Sequence, residues 1–180
     1  MTGPLRPLRD RIRPGVRVLF VGINPGLRSA ATGHHFAGYS NRFWRLLYEA
    51  GLVPEPITFE DDDRLPEWGY GITNIVPRPT ASIDGLAPEE YARGARRLLA
   101  KVDRFRPAVV ALVGVTVWRA LARALELPGG RGERVRLGFQ RPRIHGARVC
   151  VLPNPSGRNA NFTDDEMRRA FRRLRRAAVG

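Results

Sequence analysis

Four short apolar runs, each followed by a helical pattern, constrain the fold of this chain more than any other feature. They cover Val16–Val21, Tyr70–Val76, Pro107–Gly114 and Arg148–Leu152. A nearly unbroken apolar run of this length is typical of a strand that is buried on both faces. Strands that alternate with helices are joined by right-handed crossovers and lie parallel. We therefore predict a three-layer α/β/α domain with a central, mostly parallel sheet.

Amphipathic patterns predict the helices that cover this sheet. Apolar residues recur at helical spacing in Asn41–Leu52 and again in Pro88–Phe105. A further helix runs through Trp118, and Thr163 begins a capping box that opens the last helix. The short run Val135–Phe139 predicts an edge strand.

The charge of the chain indicates its partner. The 180 residues include 31 Lys and Arg against 17 Asp and Glu, which gives a formal net charge of +14. Such an excess attracts polyanions, so we predict a nucleic acid, either DNA or RNA, as the partner. We expect residues 1–14 to form a basic N-terminal arm and residues 15–180 to form a single domain.

The residues that the chain lacks exclude several kinds of site. Cys150 is the only cysteine, which excludes an internal disulfide and a cysteine-rich zinc or iron–sulfur site. The three histidines have no metal-ligand spacing, so we expect neither a metal nor a cofactor. No apolar stretch reaches the roughly 20 residues of a membrane helix, and the basic N-terminus does not resemble a secretion signal. We predict a cytoplasmic location and no contact with a membrane.

Polar loops rich in glycine and proline follow the first, second and last apolar runs. They cover residues 22–40, 76–82 and 153–162, where a parallel sheet binds its ligands. Asn24 opens the first of these loops and precedes a proline, which favours an extended backbone at the end of the strand. A carboxamide is a poor base, but it can position a water molecule. Positioning of water suits hydrolysis of an N-glycosidic bond through an oxocarbenium-like state.

The residues near Asn24 are better suited to bind a nucleobase than to form a dinucleotide site or a catalytic serine site. Phe36 offers a flat apolar face for stacking, while Gly22 and Ile23 offer backbone groups to the edge of a base. A dinucleotide site would need a glycine loop that turns directly into a helix, whereas Pro25 and a long loop follow here. Ser156 lacks the G-x-S-x-G context of a catalytic serine.

The residues alone leave less specific interpretations open. The sequence NPG also fits an ordinary β-turn. Phe36 also fits a loop residue buried against the sheet, and Thr73 an ordinary strand threonine. His35 either touches the substrate or is a polar loop residue.

Four motifs in a fixed order carry a family resemblance. They are GINPG, TGHHFAGYSNRFW, GITNIV with RPT, and LPNPSG, which begin at residues 22, 32, 71 and 152. Together they resemble the mismatch-specific uracil-DNA and thymine-DNA glycosylase family over nearly the whole chain. The resemblance implies a uracil-DNA glycosylase-like fold that acts on a base flipped out of duplex DNA, and so it implies double-stranded DNA as the partner. A nucleoid-associated monomer is the form expected of an enzyme that scans duplex DNA.

The resemblance also implies roles for single residues in the base pocket. Asn24 would hold the attacking water, and Thr73 would lie near that water. Phe36 would stack on the extruded uracil, and Ser29 would lie near C5 of the base.

A second set of residues would contact the DNA. The insertion loop would comprise Asn154, Pro155, Ser156, Gly157, Arg158 and Asn159. Gly157 would face the unpaired guanine, and Arg158 would fill the space that the flipped base leaves. Arg28 and Arg78 would meet phosphates, although Arg78 also fits a residue that steadies its loop.

The absence of a suitable amine limits the reaction. Lys101 is the only lysine, and it lies in a predicted helix well away from these loops, so we expect no Schiff base. We predict a monofunctional DNA glycosylase that removes uracil mainly from G·U mismatches and leaves an abasic site for base excision repair. Ethenocytosine and, more weakly, thymine in G·T would be further substrates. The alternatives are a non-catalytic DNA-binding module on the same fold and a hydrolase of small nucleosides.

Overall fold

A five-stranded sheet forms the centre of the computed structural model, which describes residues 4–179. Its strands are β1 (Val18–Gly22), β2 (Tyr70–Asn74), β3 (Val109–Val113), β4 (Gly138–Ile144) and β5 (Ala147–Leu152). Their order is β2-β1-β3-β5-β4. The first three strands and β5 are parallel, whereas β4 is antiparallel to β5. The predicted α/β fold with a mostly parallel sheet is confirmed.

Helices connect the strands and cover both faces of the sheet. They are α1 (Leu27–Thr32), α2 (Phe43–Glu49), α3 (Pro88–Phe105), α4 (Val115–Ala124) and α5 (Asp164–Val179). Two 3₁₀ helices cover Phe59–Trp68 and Ile83–Gly85. In residues 4–179, no helix is both long and apolar enough to cross a membrane.

The alternation of side chains along β1 shows the three layers. Val18 and Phe20 pack with the buried faces of α2 and α5, whereas Leu19 and Val21 pack with those of α3 and α4. All four side chains are fully buried. Full burial of an apolar side chain of this size contributes about 1.5–3 kcal/mol each, which explains why this run contains no polar residue.

Three elements differ from the sequence-based prediction. The edge strand begins at Gly138 instead of Val135 and ends at Ile144, because it forms a hairpin with β5. Helix α1 and the 3₁₀ helix Phe59–Trp68 were not predicted. The first has only six residues, too few for a readable helical period, and the second starts from a capping box at Thr58.

Residues 4–14 pack against the domain; the first three residues of the predicted arm 1–14 lie outside the described residues. Arg11 forms an antiparallel bridge with Ile72, with both N–O distances at 3.0 Å, and so it pairs with the exposed edge of β2. The Arg11 guanidinium also binds Asp62, with Nε 3.1 Å from Oδ1. Asp10 pairs with Lys101 of α3 at 2.6 Å. This segment therefore lies close to the loops at the carboxyl ends of the strands.

Candidate active site

The loops that follow the parallel strands enclose a cleft of about 450 Å³. Its lining includes the predicted residues Gly22, Ile23, Asn24, Ser29, His35, Phe36, Asn154, Ser156 and Arg158. It also includes Asn74 and Thr80, for which no role is predicted from the sequence. A more open hollow of about 1090 Å³ lies at the amino ends of β1 and β2, around Arg17 and Tyr70, and contains none of the predicted site residues.

Backbone hydrogen bonds join the loops that follow β1 and β2. The N–H of Ile75 donates to the carbonyl of Gly22 at 2.9 Å, and the N–H of Thr80 donates to that of Pro25 at 3.1 Å. Helix α3 supports this pair from behind, because Gly94 lies so close to Ile75 that a Cβ there would be 2.2 Å from the Ile75 carbonyl oxygen. The two loops are therefore held at a fixed distance.

The side chain of Asn24 is oriented by the second of these loops. Its Nδ2 donates to the carbonyl oxygen of Arg78 at 3.0 Å and to Oγ1 of Thr80 at 2.7 Å. Both amide hydrogens are then used, and Oδ1 has no hydrogen-bond partner among residues 4–179. The free end of the amide is an acceptor, which can hold a water molecule but cannot donate to it.

Phe36 lies on one wall of the cleft and packs against the core behind it. Its ring is 4.4 Å from that of Phe43, with an interplanar angle of 32°. Its φ of 50° is unusual for a residue with a side chain, and such a conformation needs support from its neighbours. Ser29 supplies part of that support, because its Oγ accepts a hydrogen bond from the N–H of Ala37 at 3.1 Å. The buried-loop interpretation of Phe36 and the stacking interpretation are thus compatible.

Gly22 leaves room for two side chains at the bottom of the cleft. A Cβ at this position would lie 2.6 Å from Oδ1 of Asn74 and 3.3 Å from Cζ of Phe36. The carbonyls of Gly22 and Ile23 already accept hydrogen bonds from the segment that follows β2. The glycine therefore serves the close approach of Asn74 and Phe36.

His35 is buried and fully engaged by protein groups. Its backbone N–H donates to Oδ2 of Asp62 at 2.9 Å, and its Nε2 lies 2.9 Å from the carbonyl oxygen of Arg9. Its Nδ1 lies 3.4 Å from Nδ2 of Asn74. Burial lowers the pKa of His35, since a charged imidazolium would lose its hydration, so the ring is neutral near pH 7.

Thr73 lies outside the cleft, in contrast to the expectation that it is near the attacking water. Its side chain is fully buried, with Oγ1 donating to Oδ1 of Asp10 at 2.6 Å and accepting from Nζ of Lys101 at 2.9 Å. Successive side chains of a strand point to opposite faces. Because Asn74 points into the cleft, the preceding Thr73 points away from it.

Lys101 is closer to the site than its position in the sequence indicated. With Asp10, it lines a separate cavity of about 200 Å³, which Pro25 and Asn74 also border. Its Nζ is 2.6 Å from Oδ2 of Asp10. The amine is therefore ion-paired on the far side of Pro25 and Asn74, which line both cavities.

Hydrogen bonds that involve side chains within the insertion loop stabilise its turn. The N–H of Ser156 donates to Oδ1 of Asn154 at 3.0 Å, and Nδ2 of Asn159 donates to the Asn154 carbonyl at 2.9 Å. Pro155 is buried. Gly157 packs on Ser40, where an added Cβ would come within 2.3 Å of the serine side chain.

Arg42, for which no role is predicted from the sequence, connects this loop to the start of α2. Its Nη2 donates to the carbonyl of Ser156 at 2.7 Å and to that of Asn159 at 3.3 Å. Its Nη1 donates to Oδ1 of Asp164 at 2.8 Å. Arg158 is exposed and forms no ion pair in the part of the chain that the structure describes. The backbone of the insertion loop is thus held in place by Arg42, while the guanidinium of Arg158 extends from it without an ion pair among the described residues.

The two arginines predicted to contact phosphates lie outside the cleft lining. Arg78 binds Glu90 through Nε and Nη2, at 2.8 and 2.9 Å, and this hydrogen-bonded pair lowers the pKa of Glu90 to about 2. Arg78 therefore braces its own loop. The Arg28 guanidinium lies 3.5 Å above the ring of Tyr39, and its Nε donates to the Ala37 carbonyl at 2.6 Å.

No group of three or more His, Cys, Asp or Glu side chains within the described range is arranged to hold a metal ion. The groups in the cleft that can act on a ligand are amides, hydroxyls, a neutral imidazole, an aromatic ring and the guanidinium of Arg158. Such a set can stack on a planar heterocycle, form hydrogen bonds with its edge and hold a water molecule beside it.

Comparison with known proteins identifies the family. The model of the uracil DNA glycosylase superfamily matches residues 10–175. The fold is similar to the solution NMR structure of a Methanosarcina acetivorans protein described as a candidate uracil DNA glycosylase, with a TM-score of 0.61 and 18% sequence identity over 95% of this chain and 98% of that one. The family match covers both loops of the cleft and supports a glycosylase that acts on DNA. This chain belongs to the uracil DNA glycosylase superfamily.

Proposed function

We propose that this chain is a monofunctional uracil-DNA glycosylase that prefers uracil opposite guanine in double-stranded DNA. Ethenocytosine and, more weakly, thymine opposite guanine are further substrates. The observation that carries the proposal is the orientation of Asn24, whose amide nitrogen is fixed by Arg78 and Thr80 while its Oδ1 is left free in the cleft. A protein that only binds DNA has no need for an acceptor held in this way.

The neutral amide determines the order of the chemical steps. The Asn24 oxygen is a weak base and cannot generate hydroxide, so bond cleavage comes first. The bond between C1′ and N1 breaks, its electron pair leaves with uracil, and the sugar becomes an oxocarbenium ion. The water held by Oδ1 then attacks C1′, and its proton passes to solvent or to the departed uracil anion. The product is an abasic site.

The base would be held by stacking and by its edge. Phe36 supplies the stacking face, and its packing on Phe43 at 4.4 Å keeps the ring from turning. Asn74 supplies the edge contact, since its Oδ1 lies beside Gly22 at the bottom of the cleft. An amide oxygen accepts from N3–H of uracil, while one amide hydrogen can donate to O4.

Preference for guanine on the opposite strand rests on the insertion loop. The loop is closed by Asn154 and Asn159 and held by Arg42, so its backbone groups are pre-arranged for a partner. Arg158 projects from it without an ion pair among the described residues and can enter the gap that the flipped base leaves. Backbone donors and acceptors near Gly157 would then face the unpaired guanine.

The position of Lys101 supports a monofunctional reaction. Lyase activity by a Schiff base requires a free amine at C1′. The Lys101 amine is held by Asp10 at 2.6 Å and by Thr73 at 2.9 Å, outside the cleft lining. The strand therefore stays intact until alkali or another enzyme cuts it.

A labelled duplex with a single G·U pair tests the proposal. The wild-type protein should give strand breaks after alkali treatment and none before it. Asn24→Ala should lower the single-turnover rate by at least about 100-fold, as loss of a positioned catalytic group does. Gln140→Ala is the matched control, because this amide is bonded only to nearby carbonyls of its own strand region, and it should keep the wild-type rate.

The same assay separates the alternatives. Intact DNA despite measurable binding would identify a non-catalytic DNA-binding module. Release of uracil from free deoxyuridine, without dependence on salt, would identify a nucleoside hydrolase, whereas action on DNA weakens steeply with salt. A panel with uracil, thymine and ethenocytosine opposite each base determines the lesion range.

A further inference from the structure

The carbonyl of Arg9 determines which nitrogen of His35 carries the proton. Nε2 of the buried ring lies 2.9 Å from that carbonyl oxygen, which can only accept a hydrogen bond. Nε2 therefore bears the hydrogen. In a neutral ring, Nδ1 is then an unprotonated acceptor. The segment before the domain thus fixes the tautomer of a residue in the cleft wall.

The same tautomer determines how the side chain of Asn74 is turned. Nδ1 of His35 faces Nδ2 of Asn74 at 3.4 Å, and an acceptor at Nδ1 favours the amide nitrogen on this side. The other end, Oδ1, is consequently directed to the space beside Gly22 at the bottom of the cleft. With the opposite tautomer, Nδ1–H would attract the amide oxygen, and the nitrogen would face the cleft.

Further contacts hold His35 in this position. Its backbone N–H donates to Asp62, whose fully buried carboxylate also accepts from Arg11 Nε at 3.1 Å and contacts His34 Nδ1 at 3.0 Å. Because His35 is only 2% exposed, burial opposes protonation of its ring. The ring is therefore kept both neutral and fixed in orientation.

We propose that His35 is a positioning residue that enables the site to distinguish uracil from cytosine through the amide of Asn74. Uracil presents a donor at N3 and an acceptor at O4, whereas cytosine presents an acceptor at N3 and a donor at N4. An amide whose oxygen faces N3 fits uracil, and the reversed amide fits cytosine. The proposal rests on the proposed uracil activity and adds the origin of its selectivity.

Two substitutions of His35 distinguish the contributions of its two ring nitrogens. In His35→Asn, the side-chain oxygen can occupy the place of Nδ1 and accept from Asn74, but the contact with Arg9 is lost. In His35→Gln, the side-chain nitrogen can reach the Arg9 carbonyl, but the acceptor for Asn74 is lost. A purely structural role, in which His35 only anchors the segment at Arg9, predicts that His35→Gln is the milder change. Our proposal predicts the reverse.

The readout is the ratio of affinities for two duplexes that resist cleavage. They carry 2′-fluoro-2′-deoxyuridine or 2′-fluoro-2′-deoxycytidine opposite an abasic spacer, so that base pairing does not contribute to the ratio. We expect the preference for uracil to fall at least about tenfold in His35→Gln, the effect of one misdirected hydrogen bond, and to stay near the wild-type value in His35→Asn. An unchanged ratio in His35→Gln, or an equal loss in both variants, would overturn the proposal.

The nitrogen chemical shifts of the His35 ring, measured by long-range ¹H–¹⁵N NMR of the wild-type protein, test the tautomer without any substitution. The proposal requires an unprotonated Nδ1 and a protonated Nε2, and a proton on Nδ1 near pH 7 would overturn it even if a variant fails to fold. Cleavage of the G·U duplex by the wild type is measured in parallel. If the wild type does not cleave this duplex, the proposed function is rejected. If it cleaves normally but His35→Gln does not change the preference for uracil, only the role of His35 is rejected.

Discussion

The amide nitrogen of Asn24 lies 2.7 Å from Oγ1 of Thr80, a contact between the loop after β1 and the loop after β2. Together with the hydrogen bond to the Arg78 carbonyl at 3.0 Å, it leaves only the amide oxygen to face the cleft. The direction of one side chain thus depends on a residue 56 positions away in the sequence.

Replacement of Thr80 tests whether this contact contributes to the reaction. Thr80→Val keeps the shape of the side chain but removes the acceptor, so the Asn24 amide should sample other orientations. We expect the single-turnover rate of uracil release to fall about 10- to 100-fold, which corresponds to ~1.4–2.7 kcal/mol. Thr80→Ser keeps the hydroxyl and should remain close to the wild type. Equal rates for the Val and Ser variants would mean that the contact is incidental.

The two glycines of the motif GINPG should respond in opposite ways to alanine. At Gly22, a Cβ would lie 2.6 Å from Asn74 Oδ1 and 3.3 Å from the Phe36 ring, so Gly22→Ala should displace both groups and block base binding. At Gly26, φ is −70° and no atom lies within 4 Å of an added Cβ, so Gly26→Ala should be tolerated. Affinity for a duplex with cleavage-resistant deoxyuridine measures the difference, and equal affinities would contradict the proposed base pocket.

Arg42 should control how the protein holds the DNA after cleavage. Its guanidinium donates to the carbonyls of Ser156 and Asn159, and removal of such charged hydrogen bonds costs about 1.5–3 kcal/mol. We expect Arg42→Ala to weaken binding to a duplex with guanine opposite an abasic site by roughly tenfold or more. Arg45→Ala is the control, since Arg45 binds the same Asp164 but none of the loop carbonyls. If both variants bind this duplex with the same affinity, the hydrogen bonds from Arg42 to the loop are not important for guanine recognition.

The fold could be predicted from the sequence because a strand that is buried on both faces consists almost entirely of apolar residues. Val18 to Val21 are all apolar since one pair of side chains packs under α2 and α5 and the other under α3 and α4. Asn24 and Phe36 could be predicted because each lies in a motif of a few consecutive residues that is recognisable in the sequence. Both line the cleft in the structure, although their chemical roles stay predictions until they are tested.

The supporting residues could not be predicted because their contacts join distant segments. Thr80, Arg42 and Asp62 act through hydrogen bonds to loops that follow other strands or to the segment before the domain. The assignment of Thr73 instead of Asn74 to the cleft has a different cause. A shift of one residue along a strand changes the face on which a side chain lies, and the sequence does not show which of the two final residues of β2 faces the ligand.

Burial of His35 should make the protein less stable in acid. Its pKa in the folded state lies below the ordinary value of 6.5, because burial outweighs the hydrogen bond to the Arg9 carbonyl and the attraction of Asp62 and Asp10. Repulsion from Arg11 lowers the pKa further. Between that folded pKa and 6.5 the unfolded chain binds a proton that the folded chain does not, so stability falls as the pH decreases through this window. His35→Asn removes this contribution. Urea unfolding midpoints should therefore decline less between pH 8 and pH 5 in this variant than in the wild type, and parallel curves would contradict the effect.

Cys150 offers a probe of global unfolding, because its thiol is buried in β5 between β3 and β4. It is fully inaccessible, and burial raises its pKa from an ordinary value of 9.0 to about 12. The reactive thiolate is thus nearly absent in the folded protein at pH 8, whereas it forms readily in the unfolded chain. As the pH rises from 9 towards 12, the unfolded chain loses this proton first, so stability should decrease in that range.

Because this thiol is the only one in the chain, the labelling signal has a single source. At pH 8, the rate of reaction with an aromatic disulfide should follow the population of globally unfolded molecules and rise in parallel with urea unfolding seen by circular dichroism. Cys150→Ala should give no signal. Rapid labelling in the absence of urea would instead show that the sheet opens locally around β5, for example by separation of the edge strand β4, without unfolding of the strands that position the loop with Asn24.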